Sequence, residues 1–211
     1  MTEPAPMVYV VDDDPDVLKA IERLLQSVGL EAATFASPRK FLERYDASAP
    51  GCLVLDLAMP GLSGLELQAM LEQKASHLPI VFLTGRGDIA ASVQAMKRGA
   101  ADFLTKPVDD AALIAAIHSA LAKDRALRPA RIEQERVAKC LATLTERERQ
   151  VLELVVAGRL NKQIAAELGT VEKTIKFHRG NLMRKMGVRV VADLVKLAQR
   201  AGVGTTPQAP K

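Results

Sequence analysis

Acidic, hydroxyl and ammonium side chains follow short apolar runs in the first half of the 211-residue chain. The residues in this position are Asp12, Asp13, Asp56, Thr84 and Lys106. Carboxylates that gather at one place repel one another unless a cation is present, and a hard divalent ion such as Mg²⁺ prefers oxygen ligands. An aspartate beside such an ion, a lysine and a threonine can accept a phosphoryl group as an aspartyl phosphate.

The elements that must position these residues alternate between strand and helix. Apolar runs predict strands at 8–11, 32–35, 52–55, 80–83 and 102–104. Helical spacing predicts helices at 16–28, 38–46, 64–75, 88–98 and 109–123. This alternation predicts an α/β fold, a flavodoxin-like doubly wound parallel five-stranded sheet of order 2-1-3-4-5. Strands one and three are neighbours in that order, so their terminal carboxylates should converge at one edge.

The net charge of +4 conceals two halves of opposite sign. Residues 1–124 hold 11 basic and 17 acidic side chains, a net charge of −6, and residues 125–211 hold 18 and 8, a net charge of +10. This asymmetry predicts two modules, the basic one suited to a polyanion. With 48% apolar residues, two scattered cysteines, and no membrane-length apolar run or secretory signal, we expect a folded, cytoplasmic protein with no membrane partner.

The basic half is predicted to be a small all-α domain of four helices. Thr145 and Glu148 form a capping box that begins a helix ending at 157, and Asn161 is predicted to cap a second helix ending at 168. Helices at 171–186 and 190–201 follow, with Val171 or Thr170 as the cap of the third. A short helix, a turn with glycine and a longer helix predict a helix-turn-helix, whose second member enters the major groove of DNA.

Longer motifs give each half a resemblance to a known family. The segments VVDDD, LDLAMPGLSG, FLTGRGD and DFLTKP resemble the receiver domain of response regulators, over residues 6–123. The segment beginning LTERERQVLELVVAGRLNKQIAAELG resembles the LuxR-type helix-turn-helix domain, over residues 141–203. Residues 124–140 are predicted to be a partly helical linker, with one long helix as the open alternative, and 204–211 a disordered tail. Together the motifs resemble NarL/FixJ-type response regulators, nearest to FixJ.

The resemblance implies a role for each residue of the acidic pocket. Asp56 corresponds to the phosphoacceptor, and Mg²⁺ would be held by Asp13, Asp56 and the backbone carbonyl of Ala58, with Asp12 acting through water. Lys106, in a cis bond to Pro107, would hold a phosphoryl oxygen. Thr84 and Phe103 correspond to the switch residues.

For the basic half, the resemblance implies phosphate contacts from Lys162, Lys173 and Thr174, and approach to bases by Lys176, Phe177, Gly180 and Asn181. Further basic residues expected at the DNA are Arg179, Arg184 and Lys185.

By resemblance, a histidine kinase phosphorylates Asp56, the protein dimerises through its fourth helix, fifth strand and fifth helix, and the dimer binds double-stranded DNA. Regulation of transcription, with activation as the family's usual sign, and contact with RNA polymerase would follow. We expect no catalysis beyond self-dephosphorylation. Two alternatives stay open: a small-molecule phosphatase, disfavoured because Ala58 stands where such enzymes carry a second Asp, and a constitutive DNA-binding protein with a silent receiver.

Overall fold

The structure is a computed structural model, and it describes residues 5–85 and 89–203. The chain divides into two compact units, Met1–Arg128 and Pro129–Lys211. Position 88, the predicted start of the fourth helix, and the predicted tail at 204–211 lie outside the described residues.

The first unit is a five-stranded parallel sheet with helices on both faces. Its elements are β1 (Met7–Val11), α1 (Pro15–Ser27), β2 (Glu31–Phe35), α2 (Pro38–Arg44), β3 (Gly51–Asp56), α3 (Gly64–Gln73), β4 (Ile80–Thr84), α4 (Ile89–Lys97), β5 (Asp102–Thr105) and α5 (Asp110–Ala142). The strand order is β2-β1-β3-β4-β5. The predicted α/β fold and the order 2-1-3-4-5 are therefore confirmed.

Two hydrophobic cores lie on opposite faces of this sheet, because successive strand side chains point to opposite sides. Val8, Val10 and Val54 pack with residues of α1 and α5. Tyr9 and Leu55 pack on the other face with residues of α2, α3 and α4. Burial on both faces explains why the central strands consist of continuous apolar runs.

The two cysteines are free thiols in the structure. Cys52 is fully buried in the first of these cores. Burial, assisted by the charge of Asp124, raises the pKa of the Cys52 thiol to about 12, so this thiol stays protonated at neutral pH.

Helix α5 continues past the predicted end of the receiver and contains Pro129. The carboxylate of Asp124 is 2% exposed and accepts hydrogen bonds from the backbone N–H of Gly51 and from Arg128 Nε. Arg128 also donates to the carbonyls of Ser48 and Ala49. The segment 124–140 is thus helical throughout, which favours the long-helix alternative. Hydrogen bonds join the first turn of this segment to the start of β3 and the loop before it.

Up to residue 203, where the described part of the chain ends, the second unit holds four further helices: α6 (Glu146–Val156), α7 (Asn161–Glu167), α8 (Glu172–Lys185) and α9 (Val191–Arg200). Thr145 caps α6 and forms the predicted capping box with Glu148, which confirms that prediction. The predicted cap at Asn161 is wrong, since Leu160 holds the cap position of α7 and its N–H donates to Gln163. Val171 holds the cap position of α8 without a side-chain bond, so capping by Thr170 is not found.

Helices α6 to α9 enclose a separate core. Ile175 and Leu182 are fully buried, and Met186 is nearly so, as their shared helical face predicts. They pack with residues of α6, α7 and α9, and with Val137 near the end of α5. None of the described helices is both long enough and apolar enough to cross a membrane.

Candidate phosphorylation site and nucleic-acid interface

Three carboxylates converge at the carboxyl ends of β1 and β3. One oxygen each from Asp12, Asp13 and Asp56 lies within 4.8 Å of the other two. The register brings them together, because Val11 pairs with Leu55 in adjacent parallel strands. Asp12 and Asp56 are buried at 1% and 5% exposure, whereas Asp13 is exposed. The donor set is all oxygen and opens to solvent on one side, which suits Mg²⁺ with part of its water shell retained.

Lys106 completes the pocket from the loop after β5. Its Nζ donates to Asp12 Oδ2 at 2.6 Å and lies 3.2 Å from Asp56 Oδ1. The backbone N–H of Lys106 donates to the carbonyl of Thr84, which fixes the loop against the end of β4. The bond between Lys106 and Pro107 is cis.

The carboxylates and the ammonium of the pocket shift the pKa of Asp56 in opposite directions. Burial raises the pKa of Asp56, the charges of Asp12 and Asp13 raise it further, and Lys106 only partly counteracts them. Burial also acts to lower the pKa of Lys106, but its hydrogen bonds and ion pairs with the two carboxylates outweigh this and raise that pKa. One ammonium therefore does not offset three carboxylates, and a divalent cation would stabilise their ionised forms.

The predicted switch residues lie on the neighbouring strands β4 and β5. Thr84 is the last residue of β4 and is 2% exposed, and its hydroxyl donates to the carbonyl of Gly85 at 3.2 Å. Phe103 is half-buried on β5 and packs against the core under α2, α3 and α4. Ala58, whose backbone carbonyl is the remaining predicted Mg²⁺ ligand, is exposed two residues beyond Asp56.

Gly64, at the start of α3, is a residue that the sequence reasoning did not assign to the site. A Cβ at this position would lie 2.4 Å from the carbonyl oxygen of Asp56, and the N–H of Gly64 donates to the carbonyl of Leu57. The glycine thus allows α3 to start directly against the backbone of the phosphoacceptor candidate. Its position inside the segment LDLAMPGLSG was the available signal, but only the close approach shows why a side chain is excluded.

Helix α8 carries the predicted nucleic-acid face of the second unit. Lys173, Lys176, Phe177, Gly180 and Arg184 are exposed, and Thr174 and Asn181 are half-exposed. Lys162, near the start of α7, is exposed as well.

Among the described residues, two of the predicted DNA-contacting cations bond to groups of the second unit outside α8. Arg179 donates to the side-chain carbonyl of Asn161, which joins α8 to α7. Lys185 donates to Glu148 at 2.6 Å and to the carbonyl of Thr143. Because the Glu148 side chain is only 5% exposed, this ion pair holds α8 against α6, and we assign Lys185 a structural role.

Comparison with known proteins agrees with the two units. Residues 8–118 match the response regulator receiver domain, and residues 142–198 match the bacterial regulatory proteins of the luxR family. The chain is 43% identical over 197 residues to nodulation protein W of Bradyrhizobium diazoefficiens, covering 93% of this chain and 87% of that protein. It is 42% identical over 205 residues to the transcriptional regulatory protein FixJ of Azorhizobium caulinodans, covering 96% of each.

Solved structures of response regulators are also similar to this chain over most of its length. The response regulator StyR aligns with a TM-score of 0.77 and 46% identity, covering 93% of this chain and 100% of that one. Full-length FixJ from B. japonicum aligns with a TM-score of 0.55 and 38% identity, covering 95% and 98%.

The sheet and its acidic edge define the first unit as a receiver domain. The chain as a whole belongs to the two-component response regulators that join a receiver to a LuxR-type DNA-binding domain. The receiver implies a histidine kinase as partner and the second domain implies DNA binding, so the protein is a transcriptional regulator and not a typical enzyme.

Proposed function

We propose that a sensor histidine kinase phosphorylates Asp56, and that this promotes dimerisation and sequence-specific binding of double-stranded DNA in the cytoplasm. The observation that carries the proposal is the buried Asp56 carboxylate, which lies beside Lys106 and two further carboxylates at the sheet edge. The exposed basic face of α8 supports the second part, because lysine and arginine neutralise DNA phosphates.

In the chemical step, an oxygen of Asp56 attacks phosphorus while the bond between phosphorus and the donor nitrogen breaks. Lys106, which lies within ion-pair distance of Asp56, is placed to hold a phosphoryl oxygen. Asp13, Asp56 and the Ala58 carbonyl would hold Mg²⁺, with Asp12 acting through water. Bound Mg²⁺ would supply positive charge that offsets the charge of the phosphoryl oxygens.

Thr84 and Phe103 are proposed to reposition once the phosphoryl group is present, and to change the face formed by α4, β5 and α5. Val93 and Met96 on α4 are 48% and 47% exposed, which supports an interaction with a second copy there. Each acidic half carries a net charge of −6, so repulsion opposes dimerisation until this face is remodelled.

In the dimer, two copies of α8 would enter successive major grooves. Lys162, Lys173 and Thr174 are proposed to contact phosphates, with Arg179 and Arg184 adding positive charge nearby. Lys176, Phe177, Gly180 and Asn181 would approach the bases. Activation of transcription, through contact with RNA polymerase, is the outcome that we propose.

The test compares full-length protein with and without beryllofluoride and Mg²⁺. Sedimentation should show a shift from monomer to dimer, and binding to an enriched DNA duplex should tighten at least tenfold. Asp56→Asn should abolish both effects, because an amide has no anionic oxygen to coordinate beryllium and no charge to bind the cation.

Asp14→Asn is the matched control, because it makes the same chemical change at an exposed aspartate two residues from Asp12. Asparagine can still cap α1 in place of Asp14, so this variant should respond like the wild type. If the wild type were unresponsive and Asp56→Asn bound DNA equally well, the alternative of a constitutive DNA-binding protein with a silent receiver would be correct.

A further inference from the structure

The exposed face of α8 contains an apolar side chain among cations. At about 100° per residue, a helix places Lys173, Lys176, Phe177, Gly180 and Arg184 on one face. Ile175, Leu182 and Met186 occupy the opposite face and are buried in the core. The basic side chains of this face suit a polyanion, but they do not account for an aromatic ring among them.

Phe177 is 65% exposed. It is not among the side chains that pack against the core of the second unit. Its ring is in a T-shaped arrangement with that of His178, with centroids 5.8 Å apart and an angle of 66° between the planes. Covering a large apolar ring that is exposed to water lowers the free energy of the system. The position of Phe177 therefore indicates an apolar contact with the ligand that binds the basic face.

The neighbours of Phe177 leave its ring accessible. Gly180, three residues further along the same face, has no side chain, and a Cβ there would meet nothing within 4 Å. Its φ is not positive, so the backbone does not require glycine. Lys176 is directed to Glu172, with 3.2 Å between Nζ and the carboxylate. No contact among the described residues explains the glycine, whereas a closely approaching ligand does.

We propose that Phe177 is a specificity-determining residue that contacts the C5-methyl group of a thymine, in the space that Gly180 leaves open. This proposal rests on the proposed DNA-binding function. In the major groove only thymine presents a methyl group, and an aromatic side chain is a suitable apolar partner for it. The positive charge of Lys173 and Arg184 on either side would hold the backbone phosphates while the ring meets the base.

The test removes the methyl group alone. Full-length protein, activated with beryllofluoride and Mg²⁺, first enriches a duplex from a random-sequence library. Each thymine of that duplex is then replaced singly by uracil, which pairs identically with adenine. For the wild type, each half-site should contain one thymine whose single replacement weakens binding about fourfold, the loss expected for one buried methyl-sized group. A duplex that carries both of these replacements should bind about sixteenfold more weakly.

Phe177→Ala should bind thymine and uracil duplexes equally, and Phe177→Leu should keep part of the discrimination. Val28→Ala, which removes an exposed apolar side chain from the receiver, should discriminate like the wild type. The proposal is wrong if every uracil duplex binds the wild type as well as the thymine duplex, or if Phe177→Ala discriminates equally. If no duplex is enriched over shuffled sequence, the proposed function itself fails, which is a separate result.

Discussion

At the scale of single residues, two glycines in helices have opposite surroundings. Gly64 faces the backbone of Asp56 at a distance that no real Cβ can occupy, whereas Gly180 faces open space. A methyl group must therefore displace α3 from the candidate phosphorylation site in the first case. In the second it only removes the entropic cost of glycine in a helix.

We expect Gly64→Ala to lower the free energy of unfolding of the receiver by about 1–3 kcal/mol, because overpacking forces the backbone to shift. It should also slow labelling of Asp56 by acetyl phosphate. Gly180→Ala, the matched control, should raise the stability of the second unit by about 0.5–1 kcal/mol. Urea unfolding followed by circular dichroism checks both variants, and an unchanged Gly64→Ala midpoint would show that α3 can move at no cost.

The ion pair of Glu148 and Lys185 gives a second prediction at this scale. Lys185→Met should lower stability at pH 7 by about 2 kcal/mol, because it leaves the buried Glu148 carboxylate without its charged donor. Lys176→Met is the control, since its pair with Glu172 is solvent-exposed and should contribute less than about 1 kcal/mol. Hydrogen exchange of α6 and α8 can assign the loss to the second unit.

The effect should depend on pH with a defined sign. The hydrogen bond from Lys185 is the main reason why the pKa of Glu148 lies below its ordinary value of 4.5. A carboxylate whose folded-state pKa is depressed contributes stability above the unfolded-state pKa and loses it as the pH falls through the folded-state pKa. The difference between Lys185→Met and the wild type should therefore shrink as the pH falls below the ordinary value of 4.5. A difference that stays constant down to pH 2.5 would indicate a packing effect instead.

At the scale of elements, helix α5 determines where the first unit ends. Residues 124–128 were assigned to the linker from sequence, yet Asp124 and Arg128 bond to the start of β3 and the loop before it. We propose that the receiver extends through Arg128, because this cation is paired with a buried carboxylate at the base of the sheet.

We expect Arg128→Ala to destabilise the receiver by about 3 kcal/mol, since it removes an ion-paired hydrogen-bond donor from the buried Asp124 carboxylate. Arg125→Ala, a change to an exposed arginine on the same helix, should have little effect. Thermal unfolding of the two full-length variants makes the comparison. Equal midpoints would place the end of the receiver before Asp124.

At the scale of the whole molecule, the charge asymmetry predicts how DNA binding responds to salt. Released counterions make the logarithm of the binding constant fall linearly with the logarithm of the salt concentration, by about 0.9 for each neutralised phosphate. Lys173→Gln should reduce this slope by about 1 in each half-site, with no change in sequence preference.

Lys196→Gln is the control for this prediction, because it removes the same charge from an exposed position on α9 and leaves α8 unchanged. Titrations of the full-length protein between 50 and 200 mM salt measure both slopes. If the two variants gave equal slopes, Lys173 would act only through the general field of the basic half.

The sequence by itself determined the α/β fold, the sheet order and the positions of the strand ends. The central strands are apolar on both faces, and polar residues interrupt them only where the chain leaves the sheet, so Asp12, Asp56 and Thr84 could be assigned to one edge. Helix starts were predictable where the cap is local, as at Thr145. They were not where the polar side chain has a distant partner, as at Asn161, which accepts a hydrogen bond from Arg179.

Only the tertiary structure decided which basic residues have partners in the folded domain. Charge does not distinguish Lys173 from Lys185, and helical spacing places Lys185 about 120° around α8 from Lys173 without identifying its partner. The folded domain brings Glu148 within hydrogen-bonding distance of Lys185 and leaves Lys173 exposed. The same holds for Gly64 and Asp124, whose neighbours lie elsewhere in the chain. Local pattern therefore fixed the elements, whereas contacts between distant segments fixed the role of each side chain.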